Sequence, residues 1–90
     1  MNAVFTDNSG PEVVYCPPDQ NIIPTQMLTN VTWKTPQFTD NSNGNLRILN
    51  SRENGSLFPW GTSIVYYEAF DNNPNNRPAV CQFKIRLKRK

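Results

Sequence analysis

The stretch that most constrains the fold of this chain is the run GTSIVYYEAFD, from Gly61 to Asp71. It is the longest run of strand-forming residues, and neither glycine nor proline interrupts it after its first position. Residues two apart on a strand share a face, so Val65, Tyr67 and Ala69 lie on one side. Among residues 64–70 the other side carries the only charge, and its members are Ile64, Tyr66, Glu68 and Phe70. The uncharged side is therefore predicted to face the core, and the other side to remain a partly exposed apolar row.

The other strand signals are shorter and are separated by turn formers. The clearest of them runs from Ala79 to about Lys88, where apolar and polar residues alternate without a break. An asparagine- and proline-rich loop over residues 72–78 joins it to the central run, which predicts an antiparallel pair. Further short strands are predicted over residues 12–16, 21–24, 30–34 and 46–51.

No part of the chain has the apolar spacing of a helix, so the sequence predicts an all-β sandwich of about seven short strands. Trp33 is predicted to be the bulkiest core side chain, and its indole N–H needs a hydrogen-bond partner once it is buried. The predicted core residues are Val14, Trp33, Ile48, Val65, Tyr67, Phe83 and Ile85.

The size of the chain makes a covalent cross-link valuable. Ninety residues make one domain, whose small core leaves only marginal stability. The two cysteines, Cys16 and Cys81, lie 65 residues apart. A bridge between them would contribute about 4 kcal/mol in the chain-entropy model and would imply an oxidising compartment. Two buried free thiols are the alternative at this point.

Composition excludes several kinds of chemistry. The chain has no histidine, which rules out a Ser-His-Asp triad, a Cys-His pair and any zinc site that contains histidine. The seven carboxylates are scattered, and none of the four glycines belongs to a phosphate-binding loop. A net charge of +2 does not argue for nucleic-acid binding. We therefore expect no enzyme activity and no cofactor.

The ends of the chain are interpreted as parts of a longer protein. Residues 1–10 read as a linker or the tail of a preceding module, residues 11–88 as the domain, and residues 89–90 as a basic end. No apolar run is long enough to span a membrane, and residues 1–6 do not resemble a signal peptide. We expect a piece of a larger secreted or cell-surface protein that is monomeric in isolation.

Six short motifs occur in order between residues 11 and 87. They are Cys16-Pro17, Val31-x-Trp33-x-x-Pro36, Asp40-Asn41-Ser42, Gly55-Ser56-x-Phe58-Pro59-x-Gly61-Thr62, Val65-x-Tyr67-x-Ala69-x-Asp71 and Cys81-x-Phe83-x-Ile85. In this order and spacing the chain resembles the hyalin repeat (HYR) domain, an extracellular immunoglobulin-like module of adhesion and matrix proteins. The resemblance implies that Cys16 and Cys81 are bonded, tying the first strand to the last. It also implies a role in adhesion or in spacing other modules.

The loop after Asp71 departs from the family pattern. A short turn with a glycine is expected there, and the sequence has a longer run of asparagine and proline instead. The conformation of this loop, and any contact surface on it, is therefore not implied by the resemblance.

Two asparagines begin N-glycosylation sequons, Asn30-Val31-Thr32 and Asn54-Gly55-Ser56. Asn54 lies in a predicted turn and is the better acceptor, whereas Asn30 lies at the start of a strand. Asp40-Asn41 and Asp71-Asn72 offer oxygen atoms for calcium, but hydrogen bonds to their own loops are the favoured interpretation.

Two surfaces are candidates for binding. Lys84, Arg86, Lys88 and Lys90 share one face of the last strand and would suit a sulfated polysaccharide, with an ordinary solvated face as the alternative. Ile64, Tyr66 and Phe70, together with Trp60, would suit an extracellular protein or a neighbouring module. The sequence thus predicts a non-catalytic extracellular module for adhesion or matrix interaction. A purely structural spacer between other modules is the alternative.

Overall fold

The computed structural model describes residues 10–40, 45–73 and 75–89, and in those ranges the chain forms only strands and connecting loops. Its eight strands are β1 (Glu12–Tyr15), β2 (Gln20–Ile22), β3 (Leu28–Asn30), β4 (Gln37–Thr39), β5 (Arg47–Asn50), β6 (Leu57–Pro59), β7 (Gly61–Phe70) and β8 (Ala79–Leu87). No helix that could cross a membrane occurs in these described ranges. The predicted all-β fold is confirmed.

A four-stranded sheet in the order β2-β8-β7-β5 forms the larger layer. β7 and β8 pair antiparallel, as predicted, with Gly61 opposite Leu87 and Ala69 opposite Ala79. β5 joins the free edge of β7 antiparallel, whereas β2 joins β8 in parallel. Two small sheets, β1-β4 and β3-β6, supply the side chains that pack against this layer and complete the immunoglobulin-like sandwich.

The core lies between these layers and is centred on Trp33, which is 8% exposed. Its ring meets Phe58 and Phe83 edge-on, with centroid distances of 5.9 and 5.3 Å. Its indole Nε1 donates a hydrogen bond of 2.9 Å to the hydroxyl oxygen of Tyr67. The prediction that this buried N–H needs a partner is confirmed, because an unpaired one would carry the full cost of desolvation.

The disulfide joins the two layers. Cys16, which directly follows β1, is bonded to Cys81 of β8, with an S–S distance of 2.03 Å and 5.5 Å between the Cα atoms. Both cysteines are therefore bonded, and the alternative of free thiols is wrong. The bridge ties the first strand to the last, as the family resemblance implies.

Two predicted core residues are exposed, so their assignment to the core is wrong. Val14 is 60% exposed because the β1-β4 register skips it, pairing Val13 with Phe38 and Tyr15 with Gln37. Such a bulge turns the extra residue away from the ladder. Ile48 is 43% exposed because it lies on β5, the edge strand of the four-stranded sheet.

The strand predicted over residues 30–34 lies earlier, at Leu28–Asn30. Val31 and Trp33 are still buried, as the alternation predicts. The backbone of Val31, however, is hydrogen-bonded to a turn and not to a strand. The backbone N–H of Val31 donates to the carbonyl of Ser56 at 3.1 Å, and that of Gly55 donates to the carbonyl of Val31 at 2.8 Å. The turn over residues 53–56 therefore takes the place of a partner strand.

Most of the predicted N-terminal linker, residues 1–9, lies outside the described residues. Its last residue, Gly10, approaches the backbone of Arg77 so closely that a Cβ atom there would overlap the carbonyl oxygen of Arg77. The division of the chain into linker, domain and basic end stays a prediction.

Candidate functional site

The outer face of the four-stranded sheet carries a group of apolar side chains from three strands. On β7, Ile64, Tyr66 and Phe70 point away from the core, because Val65, Tyr67 and Ala69 between them are buried. Directly paired residues of an antiparallel sheet share a face. Leu49 of β5 and Val80 of β8 both lie opposite Glu68 and therefore join this face. We call Leu49, Ile64, Tyr66, Phe70 and Val80 the outer-face patch.

The outer-face patch is open to solvent in the described part of the chain. Leu49, Ile64 and Val80 are 49, 51 and 43% exposed, whereas Tyr66 and Phe70 are half-buried. The alternation in the sequence predicted the β7 members of this patch but not Leu49 or Val80. These two belong to other strands, and only the strand register brings them beside β7.

Tyr66 is fixed at the centre of this patch. Its backbone carbonyl accepts a hydrogen bond of 2.9 Å from Ser51 N, and its N–H donates to Ser51 Oγ at 3.0 Å. Partial burial, followed by the charge of Glu68 and a hydrogen bond with it, raises the pKa of the Tyr66 phenol above the ordinary 10.0. The side chain is therefore a neutral hydrogen-bonding group at physiological pH.

The raised pKa of Tyr66 can be tested by titration. We expect the Glu68→Gln variant to ionise Tyr66 at a lower pH than the wild type, though burial, the larger cause, will remain. The folded state holds the phenol proton more tightly than the unfolded chain does. The protonated phenol of Tyr66 therefore favours the folded state fully below pH 10.0, and this stabilisation is lost as the pH rises above that value. Phenolate absorbance, taken as the difference between each protein and its Tyr66→Phe counterpart, measures the shift. An unchanged titration in Glu68→Gln would contradict the role of the carboxylate.

One end of the patch borders an open groove of about 550 Å³ between β5 and the loop after β7. The guanidinium of Arg47 lies 5.0 Å from the centroid of the Phe70 ring and faces this groove. Asp71 belongs to its wall and accepts hydrogen bonds from Asn73 N at 2.9 Å and from Asn76 Nδ2 at 2.8 Å. The carboxylate thus holds its own loop, which is the favoured sequence interpretation. Asn41, in the other pair considered for calcium, lies outside the described residues.

Trp60 stands apart from the patch in its contacts. Its indole Nε1 donates to the carbonyl of Gln26 at 3.0 Å, and the guanidinium of Arg89 lies 4.7 Å from the ring centroid. These contacts fix the ring at the end of the domain from which β8 leaves. Its membership of a partner surface stays a prediction.

The predicted basic surface is partly neutralised. Arg86 forms an ion pair of 3.9 Å with Asp19, whose other carboxylate oxygen accepts a bond of 2.8 Å from the backbone N–H of Lys84. Lys88 is exposed, and Lys90 lies outside the described residues. Binding of a sulfated polysaccharide stays a prediction for this face.

The sequence from residue 3 to residue 87 matches the family model described as HYR domain. The chain belongs to the HYR family. Among its relatives is the rat protein named Sushi, von Willebrand factor type A, EGF and pentraxin domain-containing protein 1, which is 44% identical over 57 residues. That alignment covers 63% of this HYR domain and 2% of the relative, and the mouse protein of the same name is 42% identical over the same span.

A second rat relative, the Sushi repeat-containing protein SRPX, is 30% identical over 82 residues, covering 87% of this chain and 17% of its own length. The HYR domain therefore spans only a small part of each of these relatives. No solved structure matches the chain significantly.

The two sequons of this HYR domain differ in what their asparagines contact. Asn54 Oδ1 accepts a hydrogen bond from Trp33 N at 3.0 Å, and its Nδ2 donates to Trp33 O at 2.6 Å. Asn30 is exposed and makes one side-chain bond, from Nδ2 to Gly55 O at 2.9 Å. The predicted turn position of Asn54 is thus correct. Its side-chain amide also holds the backbone of Trp33 in place through two hydrogen bonds.

Proposed function

We propose that this HYR domain is a non-catalytic extracellular module that binds a protein partner, in cell adhesion or matrix assembly, through the outer-face patch. The observation that carries the proposal is the contrast between the two faces of one sheet. The inner face of β7 and β8 is sealed, with Val65, Ala69 and Ile85 at 0% exposure, whereas the outer face leaves five apolar side chains at the surface. Contiguous apolar groups of this kind, rimmed by charge, are typical of interaction sites.

The residues around the patch define the chemistry of a suitable partner. Lys84 lies opposite Ile64, Arg47 lies against Phe70, and Glu68 lies between Leu49 and Val80. Charged groups of both signs thus lie beside the apolar side chains and, at Glu68, among them, which suits a protein surface that combines apolar and charged groups. The family and the multi-module relatives support an extracellular setting.

A cell-attachment assay on surfaces coated with the domain tests the proposal. Replacing Ile64 and Val80 together by serine will reduce attachment about tenfold or more, because the two changes remove apolar contacts from two strands of the patch, and truncating an interface anchor can cost over 1 kcal/mol. Met27→Ser is the control, because Met27 is an apolar side chain outside the patch and, at 73%, is more exposed than either Ile64 or Val80. Tyr66→Ala should also weaken attachment while leaving the domain folded.

The alternative function is a purely structural spacer between modules. It is favoured by the small share of each relative that aligns with this domain, 2% in one and 17% in the other, because most of each relative is other sequence. A spacer predicts that the Ile64 and Val80 changes affect attachment no more than Met27→Ser does. Unfolding of Tyr66→Ala would likewise assign that side chain to the core and remove it from the binding surface.

A further inference from the structure

The side-chain amide of Asn54 is bonded to both polar backbone atoms of a single residue, Trp33. To reach the N–H and the carbonyl of one extended residue together, the amide must present its oxygen and one hydrogen on the same side of its C–N bond. This is the pairing that a neighbouring strand would otherwise provide. The hydrogen engaged at Trp33 O is therefore the one on the same side as Oδ1.

That hydrogen occupies the position an N-glycan would take. A glycosylated asparagine is a secondary amide, and such amides strongly prefer the trans form. In the trans form the sugar carbon C1 lies on the same side as Oδ1, and the remaining hydrogen points the other way. A sugar on Asn54 would thus require either loss of the bond to Trp33 O or a cis amide, which is disfavoured about sixtyfold.

Folding also restricts access to the other two residues of this sequon, Gly55 and Ser56. The hydroxyl of Ser56, the third sequon position, is buried and has no hydrogen-bond partner in the described ranges. The backbone of Gly55 and Ser56 is tied to Val31 by two hydrogen bonds. Although much of Asn54 is exposed, the folded turn does not present the sequon as a free segment.

The first sequon differs in its side chains and not in its backbone, because its middle residue, Val31, is buried and makes the same two hydrogen bonds to Gly55 and Ser56. Asn30 ends β3 and is exposed, as is its sequon residue Thr32. Only one hydrogen of the Asn30 amide is needed for the bond to Gly55 O, and Oδ1 has no partner among the described residues. In the trans form a sugar on Asn30 leaves one hydrogen, opposite Oδ1, so at most the single exposed bond to Gly55 O is lost and no pairing with a core residue is broken.

We infer that Asn30 carries the N-glycan of this domain and that Asn54 stays unmodified, because its side-chain amide holds the backbone of Trp33 in place. The inference rests on the extracellular setting of the proposed function. In the reaction, Nδ2 of Asn30 attacks C1 of an oligosaccharide carried on a lipid pyrophosphate. The N–C1 bond forms, the bond between C1 and the phosphate oxygen breaks, the lipid pyrophosphate leaves, and the amide nitrogen loses one proton.

Site occupancy in a eukaryotic secretory host tests the inference. The domain is expressed behind a cleavable secretion leader, so the result does not depend on the natural destination of the protein or on its partner. Amide-cleaving glycosidase, used in 18O-labelled water, converts each occupied asparagine to 18O-labelled aspartate, which peptide mass spectrometry distinguishes from spontaneous deamidation at Asn54-Gly55. We expect Asn30 to be occupied at least about tenfold more often than Asn54, given the amide preference. An empty Asn30, or an occupied Asn54 in folded secreted protein, would overturn the inference.

Four variants separate the effect of folding from the sequence preference of the transferase. Thr32→Ser gives both sequons the same third residue and is expected to leave the sugar on Asn30. Thr32→Ala should yield a bare domain, and Ser56→Ala should keep the wild-type glycan. In the variant lacking both cysteines, harvested from cell lysate, slower folding should expose Asn54 and raise its occupancy. If Asn54 stays empty in that variant, the contact with Trp33 is not what protects it.

Discussion

Replacing Cys16 and Cys81 together by alanine will lower the free energy of unfolding by about 4 kcal/mol. The bridge closes a loop of 65 residues, and opening it gives the unfolded chain a much larger set of conformations. Such a loss is a large part of the total stability of a small domain, which is roughly 5 to 15 kcal/mol. Urea denaturation followed by tryptophan fluorescence measures the change.

Reduction of the wild-type domain is the control for this prediction. Cys81 is 1% exposed, so alanine there removes a buried atom as well as the bond. Reduction keeps both sulfur atoms and should cause a loss of similar size. A loss below about 1 kcal/mol in both experiments would contradict the view that the bridge holds the layers together.

Phe58→Ala is expected to cost about 3 to 5 kcal/mol, because it leaves a cavity beneath Trp33 that the neighbouring layers cannot fill. Phe58 has no exposed surface, its ring meets Trp33 edge-on, and the guanidinium of Arg52 covers it at 3.9 Å from the centroid. Thermal and urea unfolding measure the loss. Calorimetry should also show a lower unfolding enthalpy if packing around Trp33 is lost.

The matched control is Leu57→Ala, one residue earlier on the same strand. Leu57 is 48% exposed, so its truncation should cost well under half as much. Equal losses at the two positions would mean that β6 contributes through strand pairing and not through the burial of Phe58.

The sequence predicted the two long strands well, because their alternation is long enough to define both faces. Val65, Tyr67, Phe83 and Ile85 are buried as expected. The prediction failed at short strands, where alternation defines two faces but does not show which face is buried. Ile48 sits on an edge strand, and coverage there depends on the partner layer. Phe58 was missed since β6 has only three residues.

The candidate sites show the same limit. The β7 part of the outer-face patch followed from period two, but Leu49 and Val80 required the register of β5 and β8. The turn at Asn54 was predicted from Asn-Gly, whereas its pairing with Trp33 joins residues 21 positions apart. Local sequence patterns specify turns, and contacts between distant segments depend on how the layers are stacked.

The position of the disulfide also determines how the domain responds to tension. When a multi-module chain is pulled from both ends, force reaches Cys16 soon after it enters the domain and passes through the sulfur atoms to Cys81. The chain between Cys16 and Cys81, which are 65 positions apart, is bypassed, so roughly 220 Å of stretched chain stays unavailable until the bond is reduced. A multi-module chain containing this domain would therefore lengthen very little under load while the disulfide is intact. Reduction of the disulfide would allow the bypassed segment to extend.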